Sequence, residues 1–107
     1  MPRFERFVLR TANCEEREGF PNTIFYNPDA GKKVSKPRYY VFEKEQFAEA
    51  LKGASENAEV IASCEVVKTY MSLGALKTAV GGGEPSGAEN DFLSVTMVKI
   101  LEIAPNS

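Results

Sequence analysis

The chain has 107 residues, 43% of them hydrophobic and 26% charged, with a net charge of −2, which is the make-up of one soluble globular domain spanning 1–107 with a modest core. It has no histidine and two cysteines, which removes the usual general base, the Ser-His and Cys-His nucleophile pairs and any Cys/His zinc site built from one chain. No apolar run approaches the roughly 18–20 residues of a membrane span, and the start, Met1-Pro2-Arg3-Phe4-Glu5-Arg6, lacks a signal peptide's apolar centre, so a cytoplasmic protein with ordinary thiols is expected.

The charge is unevenly spread. Residues 1–42 carry eight Lys/Arg against five acids, a surplus of +3, and residues 43–107 carry five Lys against ten acids, a deficit of −5. Indiscriminate nucleic-acid binding by the whole surface is disfavoured by this balance, because counterion release needs a local positive excess. A basic patch in the first half remains.

Phe4 to Thr11 reads as a first strand, with Phe4, Arg6, Val8 and Arg10 on one face and Glu5, Phe7, Leu9 and Thr11 on the other. Asn13 to Asn22 is polar and punctuated by Gly19 and Pro21, a loop. Thr23-Ile24-Phe25-Tyr26 is a short strand, and Asn27-Pro28-Asp29-Ala30-Gly31 is a turn, since proline pre-sets φ, Asp bonds its own backbone and Gly31 accepts positive φ. The returning segment, Lys32 to Phe42, contains Pro37, which cannot donate a ladder hydrogen bond; the strand is therefore an edge, or begins after the proline.

Glu43 to Lys52 predicts a helix, acidic at its amino end, with Phe47 and Leu51 on one face and a Lys52-Gly53 stop. Residues 59–70 fit both a strand (Val60, Ala62, Cys64, Val66) and a helical stripe (Val60, Cys64, Val67, Met71), and the density of Val, Ile and Thr favours the strand. Ser72 can cap a short helix to Val80, Gly81 to Asn90 reads as a flexible Gly-rich loop, and Asp91 to Ile103 is a long alternating strand interrupted by Lys99. The order β-β-β-α-β-(α)-β implies an α+β domain, a mainly antiparallel sheet of about five strands with one or two helices packed on one face.

The segment Lys32-Lys33-Val34-Ser35-Lys36-Pro37-Arg38-Tyr39-Tyr40-Val41-Phe42 joins four cations to three aromatics without an acid. Two apart share a face in a strand, so Arg38 goes with Tyr40. Burying Arg38 unpaired is costly, which would turn Tyr40 outward as well. With this strand and the first as neighbours, Phe4, Arg6, Arg10, Arg38 and Tyr40 would form one face fringed by Lys32, Lys33 and Lys36. Aromatic platforms flanked by cations hold single-stranded nucleic acid. The plainer reading makes Tyr40 and Phe42 core, Tyr39 exposed and the lysines a solubilising fringe on an edge strand.

The glycines at 81–83 are followed by Glu84, with no Gly-Lys-Ser/Thr ending, so a linker is expected and not a phosphate loop. Glu15, Glu16 and Glu18 show no convergence for a metal, and Glu15 and Glu16 would raise the pKa of neighbouring Cys14. The expectation is a non-enzymatic accessory protein without metal or cofactor that binds single-stranded nucleic acid, DNA among them, through Phe4, Arg6, Arg10, Lys32, Lys33, Lys36, Arg38 and Tyr40. The alternative is a protein-interaction module, adaptor or inhibitor, working through an edge strand or its acidic half. Edge strands also make a homo-oligomer credible.

Overall fold

A computed structural model describes residues 1–35, 37–85 and 92–106, with Phe92 and Leu93 described by their backbone alone. Lys36, positions 86–90 of the expected Gly-rich loop and Asp91, the expected start of the last strand, lie outside the described residues. The strands are β1 (Phe4–Arg10), β2 (Cys14–Glu15), β3 (Thr23–Tyr26), β4 (Arg38–Glu43), β5 (Glu59–Ser72) and β6 (Phe92–Pro105); the helices are α1 (Lys44–Ala50) and α2 (Leu73–Ala79). This is the α+β class that the residue pattern implies.

The six strands form one sheet in the order β1-β5-β6-β4-β3-β2, antiparallel throughout except for the parallel pair β4/β6. Its two outermost strands, β1 and β2, are consecutive pieces of chain separated only by the 3-10 turn Thr11–Asn13. The sheet therefore curls until its ends approach. The Tyr26 hydroxyl of β3 spans the gap, donating to the Val8 carbonyl at 3.0 Å and accepting from the Arg10 amide at 3.3 Å. Counting β1 and β2 as one bent strand, the connectivity is that of a partly open five-stranded Greek-key barrel of the OB type, with its helix after the third strand.

The barrel interior holds Leu9, Ile24, Tyr26, Phe42, Val60, Ala62, Cys64, Val98 and Ile100. Helix α1 packs Phe47 and Ala50 against this core, joined by Leu51 just beyond its end. The β4/β6 ladder stops at Met97, and beyond it Gln46 of α1 takes over as partner to β6: its amide donates to the Ile100 carbonyl at 3.0 Å and accepts from the Ile100 N–H at 3.3 Å.

The helices do not share a face. Neighbouring positions in β3 and β4, Ile24/Phe25 and Val41/Phe42, are all buried, so both sides of these strands need cover. A second core of Phe20, Phe25, Val41, Leu73, Leu76 and Val95 lies outside the barrel under α2. Ser72 caps α2 as its sequence suggests, accepting from the Ala75 N–H at 3.1 Å. The turn forms with Gly31 at φ +82° as expected, but the side chain that bonds the backbone is that of Asn27, whose Oδ1 accepts from the Asp29 N–H at 2.8 Å, while the Asp29 carboxylate meets Arg38.

Residues 59–72 are strand, with register shifts around Val66/Lys68 that leave Val67 exposed. That irregularity is why the stretch also fitted a helical stripe. Of the two readings of Pro37 the second is found: β4 begins just after the proline, and it is not an edge, being paired on both sides by β3 and β6.

Candidate nucleic-acid interface

On the outer face of the barrel, register places Tyr70 of β5, Val95 of β6 and Tyr39 of β4 side by side, with Lys68, Met97, Val41 and Phe25 forming the next row. Phe25 and Val41 are sealed under α2 and Phe20, whereas both tyrosines are half-buried at the margin of that cover. Each tyrosine has a cation over its ring. The Arg17 guanidinium, from the loop after β2, sits 5.8 Å from the Tyr39 centroid and 5.2 Å from that of Phe25. Lys68 Nζ sits 5.1 Å from the Tyr70 centroid. Phe25 meets Tyr39 edge-on, at 5.9 Å and 80°, and holds its orientation.

The second feature is the barrel mouth. Arg3, Glu5, Arg38, Tyr39, Tyr40, Thr69, Ser94 and Thr96 surround a cavity of about 180 Å³. Glu5 pairs with Arg3 at 3.6 Å, while its Oε2 is buried without a hydrogen-bond partner among the described residues. Burial pushes the Tyr40 phenol up to about 12; the neighbouring Glu5 carboxylate adds to the rise by hydrogen bonding and repulsion, and Arg38 opposes it.

The face expected to combine Phe4, Arg6, Arg10, Arg38 and Tyr40 is not formed. Strands β5 and β6 separate β1 from β4. Phe4, Arg6 and Arg10 point outward from β1, with Arg10 held by Glu59 at 2.9 Å, whereas Tyr40 turns inward and stacks on Phe7. The premise that exposing Arg38 exposes Tyr40 fails for a simple reason. Arg38 is the first residue of β4, so it reaches solvent at the mouth, beside Asp29 at 3.4 Å, while the rest of its face stays inside. Lys32 and Lys33 are exposed in the loop before β4.

Residue pattern alone did not select Tyr39, Tyr70, Arg17 or Lys68. Tyr39 shares the Val41 face, which was legible as the alternative face of the strand; Tyr70 and Lys68 lie beyond the β5 irregularity, and Arg17 lies in a loop where periodicity says nothing. Elsewhere, a groove of about 520 Å³ is bordered by the apolar Val67, Val80 and Met97 and by the polar Glu43, Gln46 and Lys99. Among the described residues no group of His, Cys, Asp and Glu could hold a metal ion. Burial pushes the Cys14 and Cys64 thiols up to about 12, away from nucleophilic reactivity. No helix among the described residues is long and apolar enough to cross a membrane.

No protein-family model matches the chain, and neither a curated protein nor a solved structure is significantly similar to it.

Proposed function

We propose that this is a non-enzymatic domain that binds single-stranded nucleic acid across the outer face of its barrel. The observation that carries the reading is the pair of half-buried tyrosines, Tyr39 and Tyr70, in one row of the sheet, each with a cation over its ring. Bases stack on such rings without regard to sequence, at about 1–3 kcal/mol per base. Arg17 and Lys68 would accompany the stacked bases and meet the phosphates, with Arg38, Lys32 and Lys33 extending the positive track from the neighbouring loop. OB-type barrels bind oligonucleotides and oligosaccharides through the face of their second and third strands and the adjoining loops, here β3 and β4; of the two tyrosines Tyr39 lies on β4, at the margin of the part that α2 covers, and this gives the reading partial support by analogy of fold. Strand addition at β4, one form of the alternative protein-interaction reading, has no free β4 edge to work with.

Titration of a labelled oligo-dT of about 12 nucleotides, within the site size of one such barrel, tests the proposal. Binding is expected at low salt, weakening as salt rises, and weaker again in Tyr39→Leu. Absence of binding at low salt sinks it.

A further inference from the structure

We infer that β1 carries a self-complementary edge through which two copies of the chain pair antiparallel about Phe4, a property independent of the single-strand reading above. Strand β1 ends the sheet order, with β5 on one side and no strand on the other. The direction of its backbone groups follows from their partners. The Arg3 carbonyl accepts from the Val66 N–H of β5 at 2.8 Å, whereas the Val8 carbonyl and the Arg10 N–H turn the other way, to the Tyr26 hydroxyl. Backbone groups of successive residues point to opposite sides of a strand. Odd-numbered residues therefore face β5, and Phe4, Arg6, Val8 and Arg10 face away from it. Tyr26 covers this edge only near its Arg10 end. Among the described residues, nothing pairs with the outward N–H and C=O groups of Phe4 and Arg6.

An open edge of this kind takes another strand, and the side chains of β1 select a second β1. With Phe4 on the two-fold axis, its N–H and C=O exchange bonds with those of Phe4 in the second copy. The Phe4 ring, 63% exposed in the single chain, then meets its own copy as an aromatic cross-strand pair. On the other face of the strand, Arg3 stands opposite Glu5 of the second copy and Glu5 opposite its Arg3, so unlike charges flank the axis on both sides. Arg3 is well placed for this, with its side chain 66% exposed. Axes at Arg3, Glu5 or Arg6 would each set a charge against its own copy, which is unfavourable in directly opposed positions. The contact runs only from Pro2 to Arg6, which puts it among small, transient interfaces. The chains pair when concentrated and separate on dilution.

Sedimentation velocity across a concentration series tests the pairing. The mass of the unmodified protein is expected to rise from that of one chain toward that of two. F4R, which puts two arginines on the axis, is expected to stay at one chain throughout, with an unchanged urea midpoint in dilute solution. Cysteine placement reads the register. Residues opposed in a hydrogen-bonded antiparallel pair have Cα atoms about 5.5 Å apart, within disulfide reach, whereas the two copies of residue 6 would lie roughly 14 Å apart along the strands. F4C is therefore expected to cross-link into a dimer with diamide far faster than R6C, with the unmodified protein, whose Cys64 is buried and Cys14 half-buried, as the blank. A mass of one chain at every concentration, or an association that F4R leaves unchanged, overturns the inference. Equal cross-linking of F4C and R6C also overturns it, because random collision gives that result.

Discussion

The rings of Phe7 and Tyr40 lie 3.9 Å apart, centroid to centroid, and 8° from parallel, although β1 and β4 are not neighbours in the sheet. The contact crosses the barrel interior. Phe7 also stacks on Tyr26, at 6.2 Å and 15°, so one β1 ring ties together two strands from the far side of the sheet. This closure makes Tyr40 a structural residue. Phe7→Ala is expected to cost about 3 kcal/mol, toward the lower end of what removing a core phenylalanine does, because Phe7 is only partly buried. Phe4→Ala, at a ring 63% exposed on the outer surface of the same strand, should stay within about 0.5 kcal/mol. Urea unfolding checks the pair, and equal midpoints for the two variants would refute the closure.

Local chemistry made much of the fold legible. Pro28, Asp29 and Gly31 announced the turn, Ser72 announced α2, and the alternation of Val60, Ala62 and Cys64 announced β5. What stayed hidden is non-local. Nothing in Phe4–Glu15 says that the Thr11–Asn13 turn sends the chain from one end of the sheet order to the other. Alternation also gives two faces to every strand without saying which receives a helix. Alternation divides β4 into an Arg38/Tyr40/Phe42 face and a Tyr39/Val41 face, but its position between β3 and β6 is a tertiary fact. That position put Tyr40 inside and left Tyr39 at the margin of the α2 cover.

The proposed interface separates cations that were equivalent in sequence. Arg17 and Lys68 sit over the rings on the outer face, whereas Arg6 lies on β1, with two strands between it and β4. Each phosphate contact removed from a single-stranded complex should reduce the salt slope of log K by about 0.7. Lys68→Ala and Arg17→Ala are expected to do so, and Arg6→Ala to leave the slope unchanged. Affinity measured at several salt concentrations decides it. A slope lowered by Arg6→Ala and untouched by Lys68→Ala would move the site to β1.

Three groups make the fold sensitive to alkali. Burial raises the Cys14 and Cys64 thiols from 9.0 to about 12 and the Tyr40 phenol from 10.0 to about 12. In each, the folded state holds its proton more tightly than the unfolded chain does. Their contribution is fully present below the unfolded values and is lost as pH rises through the folded ones. Urea midpoints are therefore expected to hold up to about pH 9 and to fall progressively toward pH 12. C64A, a change to another small apolar side chain in the barrel core, should make the fall shallower. A midpoint that is flat across this window would contradict the burial of all three groups.

Gly82 connects two loops that frame the outer face. Its N–H donates to the Lys77 carbonyl at 2.8 Å, and its Cα lies so close to the Gly19 carbonyl that an added Cβ would overlap it. The obstacle is backbone, which cannot swing aside as a side-chain tip can, so Gly82→Ala must push the loop after β2 away from the end of α2. Overpacking of this kind costs about 1–3 kcal/mol. Arg17 lies two residues from Gly19 in that loop, and its place over Phe25 and Tyr39 depends on where the loop sits. Oligo-dT affinity should therefore fall in Gly82→Ala, although residue 82 has no side chain to contribute to the interface. Gly83→Ala is the control: at φ +94° an alanine is strained, but nothing lies within reach of its Cβ. It is expected to lower stability by about 1–2 kcal/mol while leaving affinity unchanged. Equal losses of affinity in the two variants would mean that stability alone, and not the position of Arg17, sets binding.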